Sequence, residues 1–278
     1  MLHILALVAA LTVASTPAPG RRPGSAGVVR APANRAAMAR LPAGAYQSLY
    51  GPTSDHRVRV AAFSLDRRPV SQGDFLGFVR ANAAWRRSLV SPTLVERGYL
   101  DGWRGDLELG ASTDVHRPVT AVSWFAAKAY CAAQGKRLPT LHEWEYAAAA
   151  SETRADATRD PKFVNRLLAL YAGRASGGVL APIGSGFRNV YGVRDLHGLA
   201  WEWTLDYNNV QVADASLASG IGAGSQRHAI GCASAAIGAS DPTNYPAFMR
   251  SAFRAGLTGR SVVRTLGFRC ASGVAVTS

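Results

Sequence analysis

The chain has 278 residues and a formal net charge of +13. Its cations are 28 arginines and 3 lysines, scattered without a basic run or an interleaved aromatic platform, which argues against nucleic acid as a partner. An arginine-rich solvated surface, with some affinity for acidic partners or lipid headgroups, is the interpretation we favour. Motifs spread evenly along a chain of this length favour one domain over two small ones.

The first residues have the pattern of an export signal. Within residues 1–20, a short apolar run at 4–13 is followed by small residues, which is typical of a secretory signal peptide and too short for a membrane span of about 20 residues. We expect cleavage near residues 14–18 and an exported protein, periplasmic or secreted, with no stable membrane span after the signal is removed. Because no Lys or Arg precedes the apolar run, an uncleaved anchor is the alternative.

Composition divides the remainder into a linker and a folded part. Residues 21–36 are rich in Pro, Arg, Gly and Ala and predict a flexible linker, which leaves 37–278 for the domain.

Two elements are predicted early in the domain. Residues 58–65 alternate weakly between apolar and polar positions and predict a strand. Ser71 is a good N-cap residue, and a helix after it is predicted because the side chains that follow share one apolar face, namely Phe75, Phe78 and Val79. Frequent Pro and Gly make residues 88–115 a predicted loop.

Residues 118–147 predict two capped helices joined by a turn. Ser123 is the N-cap of the first, and Gly135 ends it in the left-handed conformation. Thr140 starts the second helix and forms a capping box with Glu143. The first helix carries its apolar side chains at Trp124, Ala127 and Cys131.

The later part of the chain gives weaker signals. Residues 152–160 are charged and predict a surface excursion, and residues 175–187 are Gly-rich with no clear period. Short strands and turns are predicted over residues 191–273, where glycine is frequent.

Three sequence blocks stand out. Residues 118–147 read PVTAVSWFAAKAYCAAQGKRLPTLHEWEYA, residues 189–204 read NVYGVRDLHGLAWEWT, and residues 266–271 read LGFRCA. They resemble the sulfatase-modifying-factor domain, the family of formylglycine-generating enzymes and their relatives. Residues 41–44 and 69–75 add weaker likenesses. The resemblance implies a single α+β domain with a C-type-lectin-like fold and little regular structure for its length.

The resemblance also implies a calcium site. Its ligands would be the side chains of Asp195 and Glu202 and the backbone carbonyls of Gly198 and Ala200. Calcium is a hard cation that prefers six to eight oxygen ligands, so this donor set is chemically sensible. The alternative is that Asp195 caps a turn and Glu202 pairs with an arginine. The family's second calcium site has no counterpart in residues 172–187.

Three cysteines in an exported chain predict one disulfide and one free thiol. The resemblance implies that Cys131 pairs with Cys270, which leaves Cys232 as the odd thiol. In the entropy model, closing so long a loop contributes roughly 4–5 kcal/mol of stability.

The catalytic block departs from the family. Formylglycine-generating enzymes bind copper(I) through a C....C thiolate pair, and copper(I) is a soft ion that favours sulfur. In this chain the corresponding positions fall near Ala236 and Asp241, which carry no thiol. The departure argues against formylglycine generation by the family's route.

A non-standard metal site at Cys232, holding copper or iron, remains an alternative. Its thiolate would need help from Asp241, His228 or His142, whose convergence the sequence does not indicate. A buried inert thiol is the competing interpretation.

Residues 239–254 resemble one exported branch of the family, the accessory proteins found with copper nitrite reductase. The pattern ASDP..Y.AFMR.AFR carries this resemblance. Arg250 and Arg254 are four positions apart, so on a helix they share one face. They would either bind an acidic segment of a partner or support the core through ion pairs.

Two functions from different classes follow. The first is an accessory or maturation factor that binds a protein client, such as a periplasmic metalloenzyme, without catalysis of its own. The second is an oxidase of a protein cysteine or another side chain, acting through a metal at Cys232. Glycan binding rests on fold analogy alone.

Overall fold

The computed structural model describes residues 37–49, 57–110, 114–174, 179–207 and 244–273. Helices and small sheets alternate along the chain, and the predicted α+β class is confirmed. The described helices and strands, in chain order, are β1 (Met38–Leu41), β2 (Gly44–Gln47), β3 (Arg57–Val60), β4 (Phe63–Asp66), α1 (Gln72–Ala81), a 3-10 turn (Ala83–Trp85), α2 (Trp124–Ala133), α3 (Leu141–Ala148), α4 (Pro161–Arg174), β5 (Trp201–Glu202), α5 (Tyr245–Ala255), β6 (Leu266–Gly267) and β7 (Ala271–Ser272).

The strands form three small sheets. The largest has the order β1–β4–β7 and is antiparallel throughout. Strands β2 and β3 form an antiparallel ribbon, and β5 pairs with β6 in parallel. The single strand predicted over residues 58–65 is therefore wrong. Two strands occupy it, because β3 pairs with β2 whereas β4 turns away to pair with β1.

The predicted helix starts are confirmed by their caps. The hydroxyl of Ser71 accepts the backbone N–H of Asp74 in a reciprocal capping box, and Ser123 caps α2 through its side chain. Thr140 forms the predicted capping box of α3. Gly135, just after α2, has φ +67°, a conformation in which any Cβ would be strained.

Helices α4 and α5 are additions to what the sequence predicted. Pro161 begins α4, and the Asp160 carboxylate before it accepts the Lys162 N–H at 3.0 Å. Asn244 caps α5 through its side chain. Both helices pack on the rest of the domain through one face, and the buried apolar positions of α4 are Phe163, Leu167 and Tyr171.

Two large apolar clusters form the interior. One packs α1 and α2 against residues 95–103 and the side chains of Trp203 and Phe268. The other packs the three-stranded sheet against α3. Cys131 and Cys270 are joined within the first cluster, with their Cα atoms 5.6 Å apart. None of the described helices is both long and apolar enough to cross a membrane.

Candidate functional site

A buried group of polar side chains lies where α3, α4 and α5 meet. It consists of Glu145, Tyr171, Arg250 and Arg254, which we call the Glu145 cluster. Arg250 donates to the Glu145 carboxylate through Nε and Nη2, the shortest contact being 2.6 Å, and Arg254 donates through Nη1 at 2.7 Å. Both arginines are buried. Of the two roles considered for this pair, the structure places them in an intramolecular ion pair.

A chain of hydrogen bonds leads from the Glu145 cluster into the core. Arg250 Nη1 donates to the Tyr171 hydroxyl at 3.1 Å, and that hydroxyl lies 2.8 Å from His197 Nδ1. His197 Nε2 lies 2.9 Å from the carbonyl oxygen of Ala148. Because a carbonyl only accepts, Nε2 carries a proton and donates to it, and Nδ1 forms the contact with the Tyr171 hydroxyl.

Charge in the Glu145 cluster is fixed at neutral pH. Burial by itself would raise the pKa of Glu145, but the charges of Arg250 and Arg254 and their hydrogen bonds outweigh burial and hold it at about 2. Burial by itself would lower the pKa of Arg250, but the charge of Glu145, together with the hydrogen bonds to Glu145 and Tyr171, outweighs burial and raises it. The carboxylate is therefore ionised at any pH at which the protein works.

A second polar contact borders the Glu145 cluster. The hydroxyl of Tyr46, on β2, lies 2.9 Å from His142 Nδ1 on α3. Burial raises the pKa of Tyr46, and the nearby charge of Glu145 raises it further, so the phenol stays protonated. His142, named above as a helper for a metal at Cys232, here faces Tyr46.

The four predicted calcium ligands lie at the turn before β5. Asp195 has φ +60°, and its two oxygens accept the backbone N–H groups of Gly184 and Gly186, each at 2.7 Å. Glu202 is buried, and both its oxygens accept from Arg269, at 2.7 and 2.8 Å. The indole N–H of Trp144 also donates to Glu202, at 2.8 Å.

This donor set fits a calcium ion poorly. Each carboxylate oxygen already accepts a hydrogen bond from a protein group, and a guanidinium beside Glu202 repels a second cation. The arrangement matches the alternative in which Asp195 caps a turn and Glu202 pairs with an arginine. Calcium coordination by Asp195, Gly198, Ala200 and Glu202 stays a prediction.

The weak catalytic candidate, Cys232, lies outside the described residues, as do His228 and Asp241. Within the described ranges, no group of three or more His, Cys, Asp or Glu side chains is placed to hold a metal ion. The Glu145 cluster is built from ion pairs and hydrogen bonds.

Sequence reasoning found part of the Glu145 cluster. It placed Arg250 and Arg254 on one helical face, but it missed Glu145, Tyr171 and His197. Glu145 lies 105 positions before Arg250, so no local pattern connects them. The available signal was Glu145 itself, a carboxylate on the inward face of α3, which requires a cationic partner when it is buried.

Comparison with known proteins gives consistent matches. The family model described as "Sulfatase-modifying factor enzyme 1-like domain" matches residues 25–274. "Inactive C-alpha-formylglycine-generating enzyme 2" of Bos taurus is 33% identical over 85% of this chain and 88% of that protein. "Formylglycine-generating enzyme" of Streptomyces coelicolor is 30% identical over 95% of each. The solved structure of PvdO from Pseudomonas aeruginosa is 18% identical, with a TM-score of 0.42, covering 84% of this chain and 93% of that one.

Proposed function

The chain belongs to the sulfatase-modifying factor enzyme 1-like family, and from that premise we propose that it is an exported accessory or maturation factor that binds a protein client without oxidising it. The client is a metalloenzyme of the same compartment. The proposal rests on which features of the family this chain keeps and which it lacks.

The observation that carries the proposal is the number of free thiols. The sequence has three cysteines, and two of them, Cys131 and Cys270, are joined to each other. Only Cys232 is left, whereas a copper(I) thiolate pair needs two sulfur ligands. The residues near the expected pair positions, Ala236 and Asp241, offer no replacement sulfur. The family's copper chemistry therefore lacks its ligands here.

The framework, by contrast, is kept. The capped helices α2 and α3 and the buried Glu202–Arg269 pair remain although the thiol pair does not. A fold maintained without its reactive groups favours binding over catalysis. The Bos taurus relative, whose name calls it inactive, supports the same interpretation.

The client and the compartment are inferred from sequence. Residues 1–20 predict export, and residues 239–254 resemble the accessory proteins found with copper nitrite reductase. Together they favour a periplasmic copper enzyme as the client.

Oxidation through an unusual metal site is the second candidate. The Streptomyces coelicolor relative is named as a formylglycine-generating enzyme and aligns over 95% of this chain. In this alternative, Cys232 would be one ligand of a copper or iron ion, and the substrate would be a protein cysteine or another side chain.

Elemental analysis separates the two functions. We expect the full chain and its Cys232→Ser variant, purified without added metal, to carry neither copper nor iron in stoichiometric amount. Copper or iron near one per chain that disappears in Cys232→Ser, together with oxygen uptake on a cysteine peptide, would establish the oxidase and overturn the proposal.

A direct test of the accessory role uses copper nitrite reductase as the client. We expect its copper content after export to be higher when this chain is co-expressed, and Cys232→Ser to support the same content. Equal copper content with and without the chain would contradict this client.

A further inference from the structure

The Glu145 cluster holds one carboxylate for two guanidinium groups. Glu145 is ionised, because its pKa is about 2, and arginine is always charged. Among the described residues, the ion pairs of Arg250 and Arg254 reach Glu145 and no second carboxylate. Within the described part of the chain, the cluster therefore has one positive charge more than it has negative partners.

The unused hydrogen-bonding capacity lies on Arg254. Arg250 donates through all three of its nitrogens, to Glu145 and Tyr171. Arg254 donates only through Nη1, and its Nε and Nη2 have no acceptor in the part of the chain that the structure describes. Yet Arg254 is only 7% exposed, and its guanidinium lies 4.8 Å over the ring of Trp144.

The free edge matters because the charge beside it is only partly compensated. Two buried guanidinium groups share the single carboxylate of Glu145, and taking charge out of water without full compensation costs free energy. The Nε–Nη2 edge of arginine is a planar fork whose spacing matches the two oxygens of a carboxylate. Because the excess is a single charge and Glu145 lies close by, a monoanion suits the site better than a dianion.

We propose that the Nε–Nη2 edge of Arg254 binds one carboxylate supplied from outside this chain, either a free carboxylic acid anion or an acidic side chain of a peptide. Glu145 keeps 12% of its side-chain surface exposed, so the cluster reaches the surface on that side. The inference deepens the proposed function by naming the chemistry of the client's contact. The identity of the carboxylate as part of a client rests on the proposed function, whereas carboxylate binding at Arg254 can be tested without it.

The test observes Arg254 directly in the full-length protein. With 15N-labelled arginine, the Nε–H resonance of Arg254 is assigned by its loss in Arg254→Lys and by its proximity to the Trp144 ring. The probes are acetate, its neutral isostere acetamide, and an end-blocked peptide with one Asp. We expect a saturable shift with acetate and none with acetamide. Tighter binding of the peptide than of acetate identifies a peptide source, and the reverse identifies a free acid.

A second readout does not depend on the variant. The melting temperature of the unchanged protein should rise in acetate relative to acetamide at equal ionic strength. The matched control is Arg264→Gln, which removes one positive charge from an exposed side chain and should keep the full acetate effect. Loss of the effect in Arg264→Gln would show that acetate acts only through net charge, and would overturn the proposal.

Three further outcomes bear on the proposal. Absence of any response to acetate and peptide overturns the proposal. Residues 208–243, which lie outside the described ranges, contain two carboxylates, Asp214 and Asp241. If Asp214→Asn or Asp241→Asn moves the Arg254 resonance and creates an acetate response, the counter-ion is intramolecular and the proposal is overturned. If the carboxylate site fails while the chain stays free of copper and raises the client's copper content, the accessory function stands without it.

Discussion

Two neighbouring residues of α3, Trp144 and Glu145, belong to two buried ionic centres that are built differently. Trp144 donates to Glu202, whose carboxylate is matched by one guanidinium, Arg269, with side-chain exposures of 1% and 0%. The remaining Arg269 donors reach the backbone oxygens of Asp66 and Arg194. Glu145, one position later, is shared by two arginines.

Under our carboxylate-binding proposal, the difference separates a structural centre from a binding one. Around Glu202 every charge has its opposite and the guanidinium nitrogens all have acceptors, so nothing further is needed. Around Glu145, as far as the described residues go, one charge and one guanidinium edge are left over. Complete pairing at Glu202 shows that this fold can match buried charges one to one. The unmatched charge at Glu145 is therefore the basis for expecting a further anion there.

The largest effect is expected at the balanced centre. Glu202→Gln leaves Arg269 buried without a counter-charge and should lower the free energy of unfolding by about 3–5 kcal/mol, measured by urea denaturation. The matched control is Glu108→Gln, whose pair with Arg104 is exposed and should contribute about 0.5 kcal/mol or less. A loss below about 1 kcal/mol in Glu202→Gln would remove the contrast between the two centres.

The next effect is a pH dependence that belongs to Glu145. Its pKa in the folded protein is about 2, below the ordinary value of 4.5, so its contribution is complete above pH 4.5 and disappears as the pH falls toward 2. The shift corresponds to about 3 kcal/mol.

The measurement for Glu145 is urea denaturation across this pH window. The unchanged protein should lose stability more steeply than Glu145→Gln does. Asp66 acts in the opposite direction, because burial raises its pKa despite the charge of Lys136, but it is present in both proteins and cancels in the difference. Parallel curves would mean that Glu145 carries no such shift.

A smaller effect is expected where the Glu145 cluster meets His197. Tyr171→Phe removes the hydroxyl between Arg250 and His197 and should lower the free energy of unfolding by about 1–3 kcal/mol. Tyr245→Phe, on the exposed side of α5, is the control and should change it by less than about 0.5 kcal/mol. Equal effects in both variants would show that the hydrogen-bond chain does not stabilise the fold.

The smallest effect concerns calcium. Because Arg269 already neutralises Glu202, the interpretation in which Glu202 serves only an ion pair predicts the same melting temperature with added calcium and with a chelator. A rise of several degrees in calcium would restore the ligand set that the resemblance implies, and would show that Asp195 can exchange its backbone donors for an ion.

Local signals predicted the parts of the fold that depend on neighbouring residues. The caps at Ser71, Ser123 and Thr140 mark helix starts because the capping bonds span only three residues. Helix α4 carries a comparable signal, Asp160 followed by proline. The two-residue strands β5 and β6 lie beyond such reasoning, because their pairing joins distant segments.

The candidate site shows the same division. The spacing of Arg250 and Arg254 predicts a shared face, but not which carboxylate meets it. For Asp195 and Glu202 the sequence offered two interpretations, calcium ligands or a turn cap and an arginine pair, but it did not indicate that Arg269 is the arginine. Partners that are distant in sequence are fixed by the packing of whole elements, and a single sequence does not contain that information in local form.

The late position of the closing segment sets when this domain can fold. The backbone N–H of Cys270 donates to the carboxylate of Asp66, 204 positions earlier, and β7 completes the sheet begun by β1 and β4. Until residues 266–272 have been synthesised, the disulfide, the central sheet and the Glu202–Arg269 pair each lack one partner. We therefore expect folding to be slow and to occur as one late cooperative event, after this closing segment has left the ribosome.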